Sequence, residues 1–215
     1  RVLLVSLGKR ADLGDKAFRD AVSGAAKALA GGVARSAAVA LVTLNLPNRP
    51  AAWRVRQAAG VLADGAYKFD APRQNKPAER GASAITLLVA ESSPELETAL
   101  KQGQAIAEGM ALTRDLGNHG GNVCTPGYMA QTAQAMGKEF GFEVEVLERE
   151  DMDKLGMGSA LSVGRASYSP CKFIVMKYSG GGAAKPIVLV GKGMTFDTGG
   201  VSLKPSANLD EMKYD

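Results

Sequence analysis

Ile187-Val188-Leu189-Val190-Gly191-Lys192-Gly193-Met194-Thr195-Phe196-Asp197-Thr198-Gly199-Gly200-Val201-Ser202-Leu203-Lys204-Pro205 reads as a short buried strand that runs straight into a glycine-rich turn. Four apolar residues have the length of a strand, and in α/β sheets ligands gather beyond the carboxyl ends of strands. The turn places two lysines and an aspartate among glycines, which let a backbone approach a ligand closely. Asp215 lies eleven residues beyond Lys204. A phosphate loop would need glycine, four residues, then Gly-Lys-Ser/Thr. Here Gly193 follows Lys192, and Pro186 occupies the position where the first glycine belongs, so the phosphate pattern fails.

A metal site is the second chemistry to weigh. Asp197 and Asp215 offer carboxylate oxygens from two places in the chain, which suits hard or borderline divalent cations. A lysine ligand must first lose its proton, at a cost of about 4–5 kcal/mol at pH 7, which a nearby dication offsets by disfavouring the ammonium form. The plain alternative is two surface lysines and a helix-capping aspartate.

Working outward, strands and helices alternate. Residues 2–7 form an apolar run suited to a buried strand. Residues 15–29 place Ala17, Phe18, Ala21, Val22, Ala25, Ala26 and Leu29 at helical spacing, ended by Gly31-Gly32. Strands are expected at 37–44 and 85–90, with a helix over 53–66 between them. This order argues for an α/β fold with a largely parallel sheet. Residues 68–83, with Pro72, Pro77 and Gly81, read as an exposed loop. Ser93-Pro94-Glu95-Leu96 supplies a cap, a proline at the first helical position and an acid in the first turn. The helix it starts runs through Leu100, Ile106, Met110 and Leu112 to Leu116, with Gly117-Asn118 as its stop. Thr125-Pro126 starts another helix. Residues 142–147 alternate like a strand, a short helix covers 151–155, a Gly/Ser-rich loop follows, and strands are expected at 173–178 and 186–190.

Composition narrows the class. With 46% hydrophobic and 22% charged residues over 215 positions, the chain can bury a sizeable core. No apolar run approaches the ~20 residues of a membrane span, and Cys124 and Cys171 are too few for a disulfide framework, which suits a reducing cytoplasm. Residues 1–100 hold 14 Lys/Arg against 9 Asp/Glu and residues 101–215 hold 12 against 13, so the net charge of +4 comes from the first part and leaves nucleic-acid contact open. Arg1 in place of an initiator methionine, and a stop at Asp215 without a helix stop, lead us to expect a segment of a longer polypeptide.

Residues 190–215 closely resemble the metal-binding region of the leucyl (cytosol) aminopeptidase family. Thr113-Arg114-Asp115-Leu116-Gly117-Asn118 and Asn122-Val123-Cys124-Thr125-Pro126 are similar to that family's approach to its catalytic domain. The likeness covers residues 93–215 well, whereas residues 1–92 match only in general α/β character. It implies an N-terminal α/β, macro-like domain over 1–92, a linker helix over 93–118, and the first part of an α/β metallo-aminopeptidase catalytic domain over 119–215. It also implies a cytoplasmic homo-hexamer that removes N-terminal residues, often leucine, from peptides with two divalent ions, manganese or zinc. Carried over residue by residue, Lys192 and Asp215 would bind one metal, Asp197 would bridge both, Lys204 would stay protonated and polarise the scissile carbonyl, and Met212 would line the pocket for the first substrate side chain.

Two departures stand out. Where the family commonly has Leu-Pro-Pro before Asn122, this chain has His119-Gly120-Gly121. The family's second motif, Asn-Thr-Asp-Ala-Glu-Gly-Arg, which supplies an aspartate, a bridging glutamate and an arginine that holds a bicarbonate base, does not occur among these residues. Other candidates are weaker. His119, the chain's one histidine, reads as a loop residue, Cys124 as packed at a helix start with no base to activate it, and Glu148-Arg149-Glu150-Asp151 as a solvated face. Trp53, beside Arg54 and Arg56, is better suited to packing on a helix than to stacking on a base. Some members of the family bind DNA, so a DNA-binding regulator remains the alternative, followed by a non-catalytic assembly subunit.

Overall fold

Residues Asp15–Gly31 form α1, whose buried face is Phe18, Ala21, Val22, Ala25 and Ala26, the i, i+3, i+4 stripe that the sequence sets out. In this computed structural model, which describes residues 1–75 and 80–214, the chain divides into two units, residues 1–114 and 115–215. The division falls within one continuous helix.

In the first unit α1 is followed by β1 (Ser36–Val39), α2 (Ala51–Gly65), β2 (Ala84–Leu87) and α3 (Pro94–Asn118). β1 and β2 pair in parallel, Ser36 opposite Ala84 through Val39 opposite Leu87. The core gathers Phe18, Val22, Val39, Val42, Leu46, Val55, Ala58, Leu62 and Ala99. Trp53 lies partly buried against it, its ring 5.8 Å from that of Phe18 and 5.0 Å from the Arg49 guanidinium. Arg54 donates to the carbonyls of Val42 at 2.9 Å and Arg49 at 2.7 Å. Both side chains thus serve the packing.

α3 starts as its sequence dictates, with the Leu96 amide donating to Ser93 Oγ at 3.3 Å, and it ends at Asn118, within the Gly117-Asn118 stop. It crosses α2 at two glycines, Gly60 and Gly103. A Cβ on Gly103 would collide with the Arg56 carbonyl and come within 2.8 Å of Ala59 Cβ, so only a bare backbone fits the crossing. Further along, Arg114 pairs with Asp64 at 2.7 Å and lies 5.2 Å from the Tyr67 ring.

Two strand expectations change in this unit. Residues 2–7 form no strand, and a groove of about 720 Å³ separates residues 1–5 from β1. The strand expected at 37–44 ends at Val39, because Ala40 turns into the right-handed region (φ −92°, ψ −2°) and Leu41–Thr43 form a 3-10 turn. The loop over 68–83 is irregular where it is described, while Pro77 lies outside the described residues.

Asp15, at the first turn of α1, holds Arg49 through two hydrogen bonds, from Nε at 2.8 Å and Nη2 at 2.5 Å. These bonds, with the charge of Arg49 and of Arg19, hold the Asp15 carboxyl below its usual value despite partial desolvation. A carboxyl depressed in the folded state contributes stability that is present above its unfolded value, about pH 4, and lost as pH falls through the folded one. Replacing Asp15 with Asn is therefore expected to flatten the loss of stability below about pH 4. Denaturant midpoints measured through that range check this, and an unchanged slope overturns it.

The second unit contains α4 (Pro126–Phe140), β3 (Glu143–Leu147), α5 (Arg149–Lys154), α6 (Gly158–Gly164) and β4 (Phe173–Lys177). Thr125 caps α4 by accepting from the Tyr128 amide at 3.2 Å. Gly141 ends the helix with φ 73°, a left-handed conformation suited to glycine. β3 and β4 are antiparallel, Glu143 opposite Lys177. Among the described residues the pair expected to be parallel, in the first unit, is parallel, and the second unit adds an antiparallel pair. The acidic run opens α5: Glu148 and Asp151 form a capping box, Glu148 pairs with Lys172, and Met152 is buried. Part of the expected Gly/Ser loop is α6, which buries Leu161. A third strand expectation also changes, because residues 186–190 form no strand. Ile187, Leu189 and Val190 are about nine-tenths exposed, and no described residue pairs with this run.

Candidate active site

The Gly191–Pro205 stretch holds its shape through short-range hydrogen bonds. Asp197 Oδ1 accepts the Gly199 amide at 2.7 Å, Thr198 Oγ1 donates to the Gly200 carbonyl at 2.9 Å, and the Lys204 amide donates to the Thr198 carbonyl at 3.0 Å. The chain can close this tightly because Gly199 and Gly200 take φ of 81° and 104°, and a Cβ on Gly199 would sit 3.0 Å from Lys204 Cγ.

Closure brings Lys204 Nζ to 3.1 Å from Asp197 Oδ2. A 3-10 turn, Leu209–Tyr214, then returns Met212, whose Sδ accepts from the same ammonium at 3.1 Å. Asp197, Lys204 and Met212 therefore converge. The Lys204 and Asp197 side chains retain 32% and 28% of their exposure, so the cluster is shielded but open to a ligand. Lys192 is exposed, and Asp215 lies outside the described residues.

The Asp197 carboxyl is held below its ordinary value, first by the Gly199 amide, then by the Lys204 hydrogen bond, with the charges of Lys204 and Lys192 adding to the effect against desolvation. It is ionised at neutral pH and its Oδ2 faces a cation. That donor chemistry fits a divalent metal. Among the described residues no three of His, Cys, Asp and Glu gather as a metal-holding group, so the described part of this segment offers one carboxylate, that of Asp197.

The segment leans on residues near the start of the unit. A Cβ on Gly121 would lie 3.0 Å from Phe196 Cβ; the departure at His119-Gly120-Gly121 thus touches the neighbour of Asp197. The His119 ring packs edge-on against Tyr128 at 5.7 Å. Cys124 is buried, and burial pushes its thiol pKa up, which leaves it inert. Sequence reasoning missed Asn118, Lys213 and Tyr214. Lys213 Nζ donates to the Asn118 carbonyl at 3.3 Å and the Tyr214 hydroxyl to Asn118 Oδ1 at 3.1 Å. The one available signal was that Lys213 and Tyr214 follow Met212 directly.

The profile of the cytosol aminopeptidase family's N-terminal domain matches residues 1–76, and that of its catalytic domain matches residues 111–215. A "probable cytosol aminopeptidase" of Azoarcus sp. (strain BH72) is 62% identical over all of this chain and 44% of its own length. One from Aromatoleum aromaticum is 54% identical with the same coverage. The chain thus spans less than half the length of these curated relatives. Among solved structures, the bottromycin maturation enzyme BotP in complex with Mn matches with a TM-score of 0.80 at 31% identity, over 98% of this chain and 43% of that one. With both of the family's domains matched in order along its length, this chain belongs to the cytosol aminopeptidase family.

Proposed function

We propose that this family member, at its relatives' full length, is a metal-dependent exopeptidase that releases N-terminal residues, leucine preferred, from peptides. The observation that carries the reading is the convergence of Asp197, Lys204 and Met212, with Lys204 Nζ 3.1 Å from each partner atom. Two divalent ions, manganese or zinc, held by Lys192, Asp197 and Asp215, would polarise the scissile carbonyl and lower the pKa of a water, with bicarbonate as the base. Lys204 keeps its proton and, held by Asp197 and Met212, polarises the scissile carbonyl as negative charge develops on its oxygen. Met212, beside it, presents an adaptable apolar surface to the first substrate side chain. No serine or cysteine nucleophile takes part.

A cytoplasmic homo-hexamer is the assembly that the family resemblance supports. The alternative, a DNA-binding regulator, draws on the basic first hundred residues. It is the weaker reading because Trp53 packs against Phe18 and Arg49 and Arg54 is engaged with backbone carbonyls.

The full-length protein is expected to hydrolyse leucine-p-nitroanilide with Mn²⁺ or Zn²⁺, to lose that activity to a chelator, and to regain it when metal is returned. Hydrolysis that a chelator leaves untouched would overturn the reading.

A further inference from the structure

We propose that Asn118 is a positioning residue for the candidate site, holding the turn that carries Met212 through Lys213 and Tyr214. This rests on the function proposed above. Asn118 is the last residue of α3, where the helix dipole favours a cation. Lys213 supplies one, donating to the Asn118 carbonyl at 3.3 Å, across 95 residues of sequence. The Asn118 side chain makes the second tie, accepting the Tyr214 hydroxyl at 3.1 Å.

The Tyr214 ring is also seated against the helix end. A Cβ on Gly117 would lie 3.3 Å from Tyr214 Cδ1, so the bare backbone there leaves room for the ring. The Leu209–Tyr214 turn closes through its own 3-10 hydrogen bonds but buries no residue, so its ties to Asn118 help to place it. A path of contacts runs from Asn118 to Lys213 and Tyr214, along the chain to Met212, and from Met212 Sδ to Lys204 Nζ and Asp197. Loosening the first link frees Met212 and, through it, the ammonium.

The test uses the full-length, metal-loaded protein with leucine-p-nitroanilide as probe. Asn118→Ala and Tyr214→Phe are each expected to lower kcat about tenfold with KM within about twofold, as supporting residues around a metal site do. The double variant should be no worse than either single one, because both remove the same bond. Amide hydrogen exchange across Leu209–Tyr214 should quicken in both, and Asn118→Asp, which keeps an acceptor oxygen, should restore kcat and exchange. Tyr214→Phe, at a half-exposed ring, keeps the test decisive where Asn118→Ala folds poorly. Unchanged kcat and exchange in Tyr214→Phe, or additive losses in the double variant, overturn the inference. Should the unaltered protein show no metal-dependent hydrolysis, the proposed function fails and, with it, the catalytic role of Asn118; the exchange data then decide the clamp alone.

Discussion

Replacing Lys204 with alanine in the full-length protein is expected to lower kcat about 10²–10³-fold, the usual cost of removing a preorganised oxyanion donor. The ammonium is held by Asp197 Oδ2 and by Met212 Sδ, each at 3.1 Å, which fixes its location without neutralising it. A cation placed in advance helps most when negative charge develops on the carbonyl oxygen, so kcat and kcat/KM should fall together while KM changes little. Arginine should not rescue it, because the planar guanidinium is wider and cannot replace a compact ammonium in this setting. The same substitution removes one cause of the depressed Asp197 pKa and should move that carboxyl back toward its ordinary range. Steady-state kinetics check the first expectation. Activity within about twofold of the unaltered protein would remove Lys204 from any role in stabilising the oxyanion.

What could be read from the sequence was what is decided locally. The Phe18, Val22, Ala26 stripe, the Ser93-Pro94 start of α3 and the Thr125-Pro126 start of α4 each depend on neighbours within a turn or two, and all three formed. The apolar runs at 2–7 and 186–190 have the composition of strands, yet a strand exists only where another pairs with it, and the pairing partner is not written in the run. α6 was missed because Gly158 and Ser159 resemble a loop, whereas the buried Leu161 gives the turn a reason to fold. At the candidate site, the meeting of Asp197 with Lys204 is a short-range event favoured by Gly199 and Gly200. Asn118 meets Lys213 across 95 residues and Tyr214 across 96, and no local pattern predicts such a contact.

The largest effect on stability is expected at Phe18, on the buried face of α1. Its side chain is fully buried and touches both the aliphatic core and the Trp53 ring. Phe18→Ala removes the transfer energy of the ring and leaves a cavity, a combined cost of about 3–5 kcal/mol. Domain stabilities are only about 5–15 kcal/mol, so the loss takes a large share of what holds the first unit together. At a slope of about 2 kcal/mol per molar urea, the midpoint should fall by about 1.5–2.5 M. Trp53 is the only tryptophan among the 215 residues and sits beside the affected core, so its fluorescence in this chain reports on the first unit directly. Phe18→Leu, which refills most of the space, should cost much less. A midpoint shift below about 0.5 M for the alanine variant would mean that the Phe18 site collapses around the missing ring, and the packing of α1 against α2 would then need another anchor.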